Sequence, residues 1–216
     1  MSLLLLSGGT DSASLAYALR PKLSLTVDYG QRVASAEIDS SKNICMRLDL
    51  KHEVIKFNLR ALGSGSLAGT NQDVPGTLPE WWPFRNQAIV TVGAMMALKR
   101  NLPEVIIGVV RSDRRHKDGS RTFVRQMDKV LRLQEGSIRL LAPASKLSAE
   151  ELVSACETPL DLLGMTFSCH RSIFPCGQCG GCRKNEAVIS HAIADKRQRA
   201  LFGSSKRSRQ AHALEI

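Results

Sequence analysis

Leu3-Leu4-Leu5-Leu6-Ser7-Gly8-Gly9-Thr10-Asp11-Ser12-Ala13-Ser14-Leu15-Ala16-Tyr17-Ala18-Leu19 is the stretch on which the reading of the chain turns. Four leucines in a row suit a strand buried on both faces. The pair Gly8-Gly9 breaks that strand, and Ala13 to Leu19 carries a helical pattern. A strand that ends in a glycine turn and feeds a helix aims backbone N–H groups and a positive helix end at an anion, most often a phosphate. The turn lacks the lysine and the spacing of the Walker loop G-x-x-x-x-G-K-[ST], so it is a different cradle. Gly8 and Gly9 let the backbone approach the anion, Ser7 and Ser12 add hydroxyl donors, and Asp11 caps the helix or helps to hold Mg²⁺.

Working outward, the same alternation continues. Leu23 to Asp28 reads as a second strand, Tyr29-Gly30-Gln31-Arg32 as its turn, Ala34 to Leu48 as a helix and His52 to Phe57 as a third strand. Further along come a helix over Ala88 to Leu98 opened by Arg85-Asn86-Gln87, a fourth strand over Glu104 to Val109 and an amphipathic helix over Phe123 to Leu133. A short strand over Ser137 to Leu141 and a helix from the N-cap Ser148 to Cys156 follow, with Glu150 and Glu151 in that helix's first turn. Strand alternating with helix at this spacing predicts an α/β fold, a parallel, Rossmann-like sheet covered by helices on both faces. Ligands of such sheets lie outside the carboxyl ends of the strands, which singles out the turns at 7–12, 28–32 and 108–121.

Residues 58–84 interrupt the rhythm. They are rich in glycine, proline, serine and threonine, and predict a long loop with little regular structure, of the kind that forms functional lids or is disordered. Trp81-Trp82 reads as an anchor for that loop, with stacking on a base as the alternative. Gly63-x-Gly65 is better explained by flexibility than by a dinucleotide loop.

The chain has 216 residues and a net charge of +10. That length supports one good core, so we expect a single domain over 1–192 and a basic, flexible tail over 193–216. Lys196, Arg197, Arg199, Lys206, Arg207 and Arg209 of the tail are either solubilising or a patch for RNA, DNA or an acidic partner. No stretch has the length of a membrane span and the N-terminus does not have the pattern of a signal peptide, so the expected location is cytoplasmic.

Cys169, Cys176, Cys179 and Cys182 form the spacing C-x6-C-x2-C-x2-C, whereas Cys45 and Cys156 fall in helical patterns as buried hydrophobes. Two overlapping C-x2-C steps wrap a backbone round one ion and a fourth cysteine closes a tetrahedron. Zn²⁺ with a structural role is the expectation for the segment 169–183. An iron–sulfur cluster is the rival, although a ferredoxin-type run would need a cysteine where Glu186 stands. His170 reads as a neighbour of the site and not a ligand. A last helix is expected from Asn185 to Arg199.

S-G-G-x-D-S after a leading strand resembles the signature of the PP-loop ATPases, adenylating enzymes that cleave ATP between the α and β phosphates. The wider set of motifs is similar to the 7-cyano-7-deazaguanine synthase family. The motifs are S-G-G-T-D-S at 7–12, D-Y-G-Q-R at 28–32 followed by Glu37, P-F-R-N at 83–86, Gly108 with Asp113 and Asp118, Pro143 with Lys146, and S-C…C-x2-C-x2-C-R ending at Arg183. The resemblance implies an adenine nucleotide alpha hydrolase-like fold, ATP with Mg²⁺, a 7-carboxy-7-deazaguanine substrate, ammonia and a homodimer. It implies that Ser7, Gly8, Gly9, Asp11 and Ser12 meet the ATP phosphates, with Val27 and Gly108 beside the nucleotide. By the same resemblance Arg85 and Asn86 meet an anion or the substrate, Asp113 and Asp118 face the base or Mg²⁺, and Lys146 meets developing charge. The expected catalytic set is thus Asp11, Arg85, Asp113 and Lys146.

Two departures qualify the resemblance. Arg114-Arg115-His116-Lys117-Asp118-Gly119 replaces an S-G-Y-P-D-C-type stretch of typical members, and Val33 stands where they carry histidine. Three functions therefore stand side by side: the family reaction, the same activation with a protein or nucleic-acid amine as acceptor in an anti-phage setting, and a zinc-bearing RNA-binding module without catalysis.

Overall fold

The architecture comes from a computed structural model, which describes residues 1–71 and 78–202, without the side chains of Arg114, Arg115 and Phe202. Five strands, β1 (Ser2–Leu5), β2 (Leu23–Asp28), β3 (His52–Lys56), β4 (Glu104–Ile106) and β5 (Arg139–Leu141), form one sheet in the order β3-β2-β1-β4-β5. Every pairing is parallel; Leu3 is in register with Leu23 on one side and Val105 on the other. The α/β parallel reading holds.

The leucine run explains the position of β1 at the centre. Leu3 and Leu5 point into one core with Val90, Ala94 and Ala97 of α4 (Arg85–Lys99) and Val124 and Met127 of α5 (Arg121–Arg132). Leu4 and Leu6 point the other way, into Ala13 and Leu15 of α1 (Thr10–Leu19), Ile44 of α2 (Ala34–Leu48) and Leu152 of α6 (Ala149–Ala155). All four leucines are at most 7% exposed, and burial of such side chains stabilises by about 1.5–3 kcal/mol each. Strand β1 thus joins two cores, and the chain direction reverses its lateral progress there, from β2 and β3 on one flank to β4 and β5 on the other.

Several bounds differ from expectation. The loop 58–84 contains a 3₁₀ turn at Arg60–Leu62 and the short helix α3 (Gly65–Ala68), while its residues 72–77 lie outside the described residues. Trp82 is buried and meets Tyr29 edge to face at 5.0 Å, which is the anchoring role. Helix α7 (Leu160–Gly164) was not expected, because five residues are too few to display a helical period.

The last helix, α8, spans Gly180–Phe202 and starts five residues before Asn185. Gly180-Gly181 reads as a breaker in sequence, yet the close packing of the cysteine segment admits only glycine at 181, where a Cβ would run into the Ser168 carbonyl. Val188 and Ala192 pack α8 against Ala149 and Val153 of α6 and Leu163 of α7. The helix continues through residue 193, the expected start of the tail; residues 203–216 lie outside the described residues. No helix among the described residues is long and apolar enough to cross a membrane.

Candidate active site

The reversal of strand order between β1 and β4 opens a cavity of about 320 Å³ at the carboxyl ends of the strands. Ser7, Gly9, Asp11, Ser12, Val27, Arg85, Asn86, Gly108 and Asp113 line it. Gly8, Asp118 and Lys146 do not belong to the lining.

The turn at 7–12 is shaped by its glycines and fastened from behind. Gly8 has φ +78, and a Cβ there would come within 2.9 Å of the Glu37 carbonyl and the Ser40 hydroxyl. Its own carbonyl accepts from the Ser40 hydroxyl at 2.9 Å and from the Phe167 N–H at 2.8 Å. Ser12 donates to the Gly9 carbonyl at 3.1 Å and lies 3.2 Å from the Ser7 hydroxyl. Gly9 stands at the N-cap of α1 without a side-chain cap, so the first N–H groups of that helix face the cavity and are available to an anion.

Asp11 sits in the first turn of α1. Its Oδ2 accepts from Lys184 Nζ at 2.7 Å, and Oδ1 is buried with no hydrogen-bond partner among the described residues. Burial raises the Asp11 carboxyl above its ordinary value, against the pull of the Lys184 ammonium. Asp113 Oδ1 lies 3.4 Å from the same ammonium, and its Oδ2 accepts from the Val110 N–H at 3.0 Å. Burial works against the charge on Lys184, and the two carboxylates outweigh it, so this lysine holds its proton more tightly than usual.

Across the cavity lies a second polar group. Glu37 is pushed up to about 7 by burial, although the Gln31 amide donates to it at 2.6 Å and Arg85 is near. Arg85 touches the Tyr29 hydroxyl and donates from Nε to Asn86 Oδ1 at 3.3 Å. Asp118 holds Asn86 from behind, accepting from its N–H at 3.2 Å, and so caps the start of α4. Lys146 is exposed, and its carbonyl accepts from Arg111. The long loop and the 111–121 segment meet over the cavity where Glu80 faces His116 at 3.7 Å.

The thiol sulfurs of Cys169, Cys176, Cys179 and Cys182 lie within 4.8 Å of one another, and three of these residues are buried. Four sulfurs bound to one zinc at about 2.3 Å would stand about 3.8 Å apart. Cys176 and Cys182 are 3.9 Å apart. Main-chain N–H groups are aimed at the sulfurs, from His170 and Cys182 to Cys179 and from Arg171 to Cys169, each at 3.4 Å. Such donors favour thiolates, so the donor set fits a structural metal such as zinc. His170 lines the cavity and offers no ligand atom to the cluster.

Comparison with known proteins supplies the relationship. The sequence profile of the family Queuosine biosynthesis protein QueC matches residues 1–192. The chain belongs to this family. Its curated relatives include 7-cyano-7-deazaguanine synthase of Campylobacter fetus subsp. fetus, 30% identical over 88% of this chain and 95% of the relative. Proteins of the same name from Methanosarcina barkeri and Pseudomonas fluorescens are 28% and 29% identical, over 87% and 90% of this chain and 93% of each relative.

Lys184 was missed in the sequence. A lysine two residues after a cysteine cluster looks like a solvated charge, and only the early start of α8 turns it toward the cavity. Glu37, Glu80 and His116 also line the cavity without standing among the expected site residues. Glu37 had a signal in its place after D-Y-G-Q-R, and His116 stands in the stretch 114–119 where the resemblance is broken.

Proposed function

We propose that this member of the family uses ATP to adenylate the carboxylate of 7-carboxy-7-deazaguanine and, with ammonia, converts it to 7-cyano-7-deazaguanine. The carrying observation is the glycine turn at 7–12, open to the cavity with Asp11 and Lys184 beside it. The name shared by the relatives supports the choice of substrate.

A carboxylate is a poor electrophile. Attack of its oxygen on the α phosphorus of ATP forms an O–P bond and breaks the bridge to the β phosphate, whose electron pair leaves with pyrophosphate. Ammonia then displaces AMP to give the amide. A second adenylation on the amide oxygen, followed by loss of AMP and a proton, gives the nitrile. Ser7, Gly9 and Ser12 would hold the phosphates on a turn shaped by Gly8, with Val27 and Gly108 beside the nucleotide. Arg85 would take an anion, and Asn86 and Asp113 the base, with Asp118 steadying Asn86. The unpartnered Oδ1 of Asp11 fits a magnesium ligand. Mg²⁺ when bound would neutralise phosphate charge. We include a homodimer and a cytoplasmic location in the proposal, as the family resemblance implies.

A second reading keeps the activation and changes the acceptor to a protein or nucleic-acid amine. Arg111 and Lys117, exposed at the segment beside the cavity, favour it. Mass spectrometry after incubation with MgATP, 7-carboxy-7-deazaguanine and ¹⁵N-ammonium separates the two. The first reading gives a labelled nitrile lighter than the acid; an activated acid that yields no labelled product under excess ammonium supports the second and overturns the first.

A further inference from the structure

One cation in the cavity has been placed beside the glycine turn without a chemical role of its own. Among the described residues that line it, Arg85 and Lys184 are the two with permanent positive charge. Arg85 is engaged on the β2 side by Tyr29 and Asn86. Lys184 stands at the other end, against the helix that starts in the glycine turn, 2.7 Å from Asp11 and 3.4 Å from Asp113. An anion seated on the N-terminus of α1 would lie within a side chain's reach of this ammonium. Its flexible four-carbon stem lets the ammonium turn toward such an anion.

The placement of Lys184 is set by the cysteine segment. Cys179 and Cys182 precede it by five and two residues, and Arg183 N–H closes onto the Cys179 carbonyl at 3.1 Å. On its other side Asn185 donates to the Thr166 hydroxyl at 2.9 Å. Thr166 is followed by Phe167, whose N–H holds Gly8 of the phosphate turn. The first turns of α8 are therefore fixed to the four thiols at one side and to the turn at the other.

We propose that Lys184 is a catalytic residue whose ammonium contacts the ATP phosphates and stabilises the charge on departing pyrophosphate, and that the cysteine centre holds it in place. The proposal rests on the adenylation reading for its chemistry. When the α–β bridge breaks, the electron pair goes to an oxygen of pyrophosphate, and Lys184 neutralises that charge while it keeps its proton. Without the lysine, Asp11 and Asp113 would present uncompensated negative charge to the phosphates.

The test uses the full chain with its metal, and Lys184→Met and Lys184→Arg as variants. Pyrophosphate release by Lys184→Met should fall about 100-fold, the scale on which loss of one aimed donor acts, with Lys184→Arg recovering most of it. Calorimetric titration with inorganic pyrophosphate, which needs no turnover, should show about tenfold weaker binding by Lys184→Met. Metal content should equal that of the unaltered chain. Binding and turnover within threefold of the unaltered chain would overturn the catalytic role. No pyrophosphate release by the unaltered chain would overturn the adenylation reading instead, and the titration would still decide on Lys184.

For the placement, Asn185→Ala, which frees α8 from Thr166 and keeps all four cysteines, should weaken pyrophosphate binding in the unaltered chain but add nothing in Lys184→Met. Independent, multiplying losses would contradict the coupling, as would unchanged binding. Chelation of the metal, with helical circular dichroism retained, should reproduce the same non-additive pattern; if the helical signal collapses, Asn185→Ala decides.

Discussion

The turn after β1 and the segment after β4 stand side by side at the carboxyl ends of adjacent strands and share one cavity, yet they are built in opposite ways. Residues 7–12 are small, and their shape is fixed by the main chain: Gly8 is gripped by Ser40 and Phe167, and Ser12 closes back on Gly9. Residues 111–119 form two 3₁₀ turns, Arg111–Arg115 and Lys117–Gly119, pinned by two carboxylates, Asp113 on Val110 and Asp118 on Asn86. A cradle of backbone serves any phosphate and tolerates little change. A loop held by a few side chains can be re-sequenced without loss of the sheet, and one of the two expected departures from the family resemblance, at 114–119, falls here.

The largest effect should come from the rigid half. Asp11→Ala should lower pyrophosphate release by about 1000-fold or more, since it removes a ligand candidate for Mg²⁺ and the partner of Lys184 together. Zinc content, read by atomic spectroscopy, should be unchanged. Retained activity would mean that the phosphates sit elsewhere.

Metal removal comes next. Chelation should release one zinc per chain and lower the thermal midpoint by about 10 °C or more, because a structural zinc site contributes folding free energy directly. A metal-free protein with an unchanged midpoint would show that the four thiols stand together without need of an ion.

Glu37 gives an intermediate effect with a defined sign. Its carboxyl is raised by burial to about 7, above the ordinary 4.5. The stability this contributes is complete below about pH 4.5 and is lost as pH rises through about 7. Glu37→Gln should therefore gain on the unaltered chain between pH 5 and pH 8, by on the order of 2 kcal/mol in urea unfolding. A difference independent of pH would place the titration on another group.

Asp118→Ala probes the adaptable half and should act least. Loss of the carboxylate at the start of α4 should cost about 1 kcal/mol of stability and leave ATP affinity within a few fold. A collapse of ATP affinity would put Asp118 itself in the nucleotide site and erase the contrast between the two halves.

The same contrast explains what could be read from sequence. The bounds of α2 (Ala34–Leu48) and β2 (Leu23–Asp28) were legible because period and turn residues agree there. The strand, glycine turn and helix over 2–19 were legible because their signals lie in consecutive residues. Lys184 was not, nor was the contact of Asp118 with Asn86, since the partners are distant in the chain: Asp11 lies 173 residues from Lys184, and Asn86 lies 32 from Asp118. Lys146 shows the converse. Its place on the loop before a helix matched the family motif, yet the structure leaves it exposed and outside the lining of the cavity.

If the turn at 7–12 splits ATP between its α and β phosphates for a carboxylated deazaguanine, the nucleotide products will show it when they are separated by ion-exchange chromatography after incubation with MgATP, with or without 7-carboxy-7-deazaguanine. AMP and pyrophosphate formed only when the acid is present is the predicted result. ADP and phosphate, or AMP formed at the same rate without the acid, would contradict it.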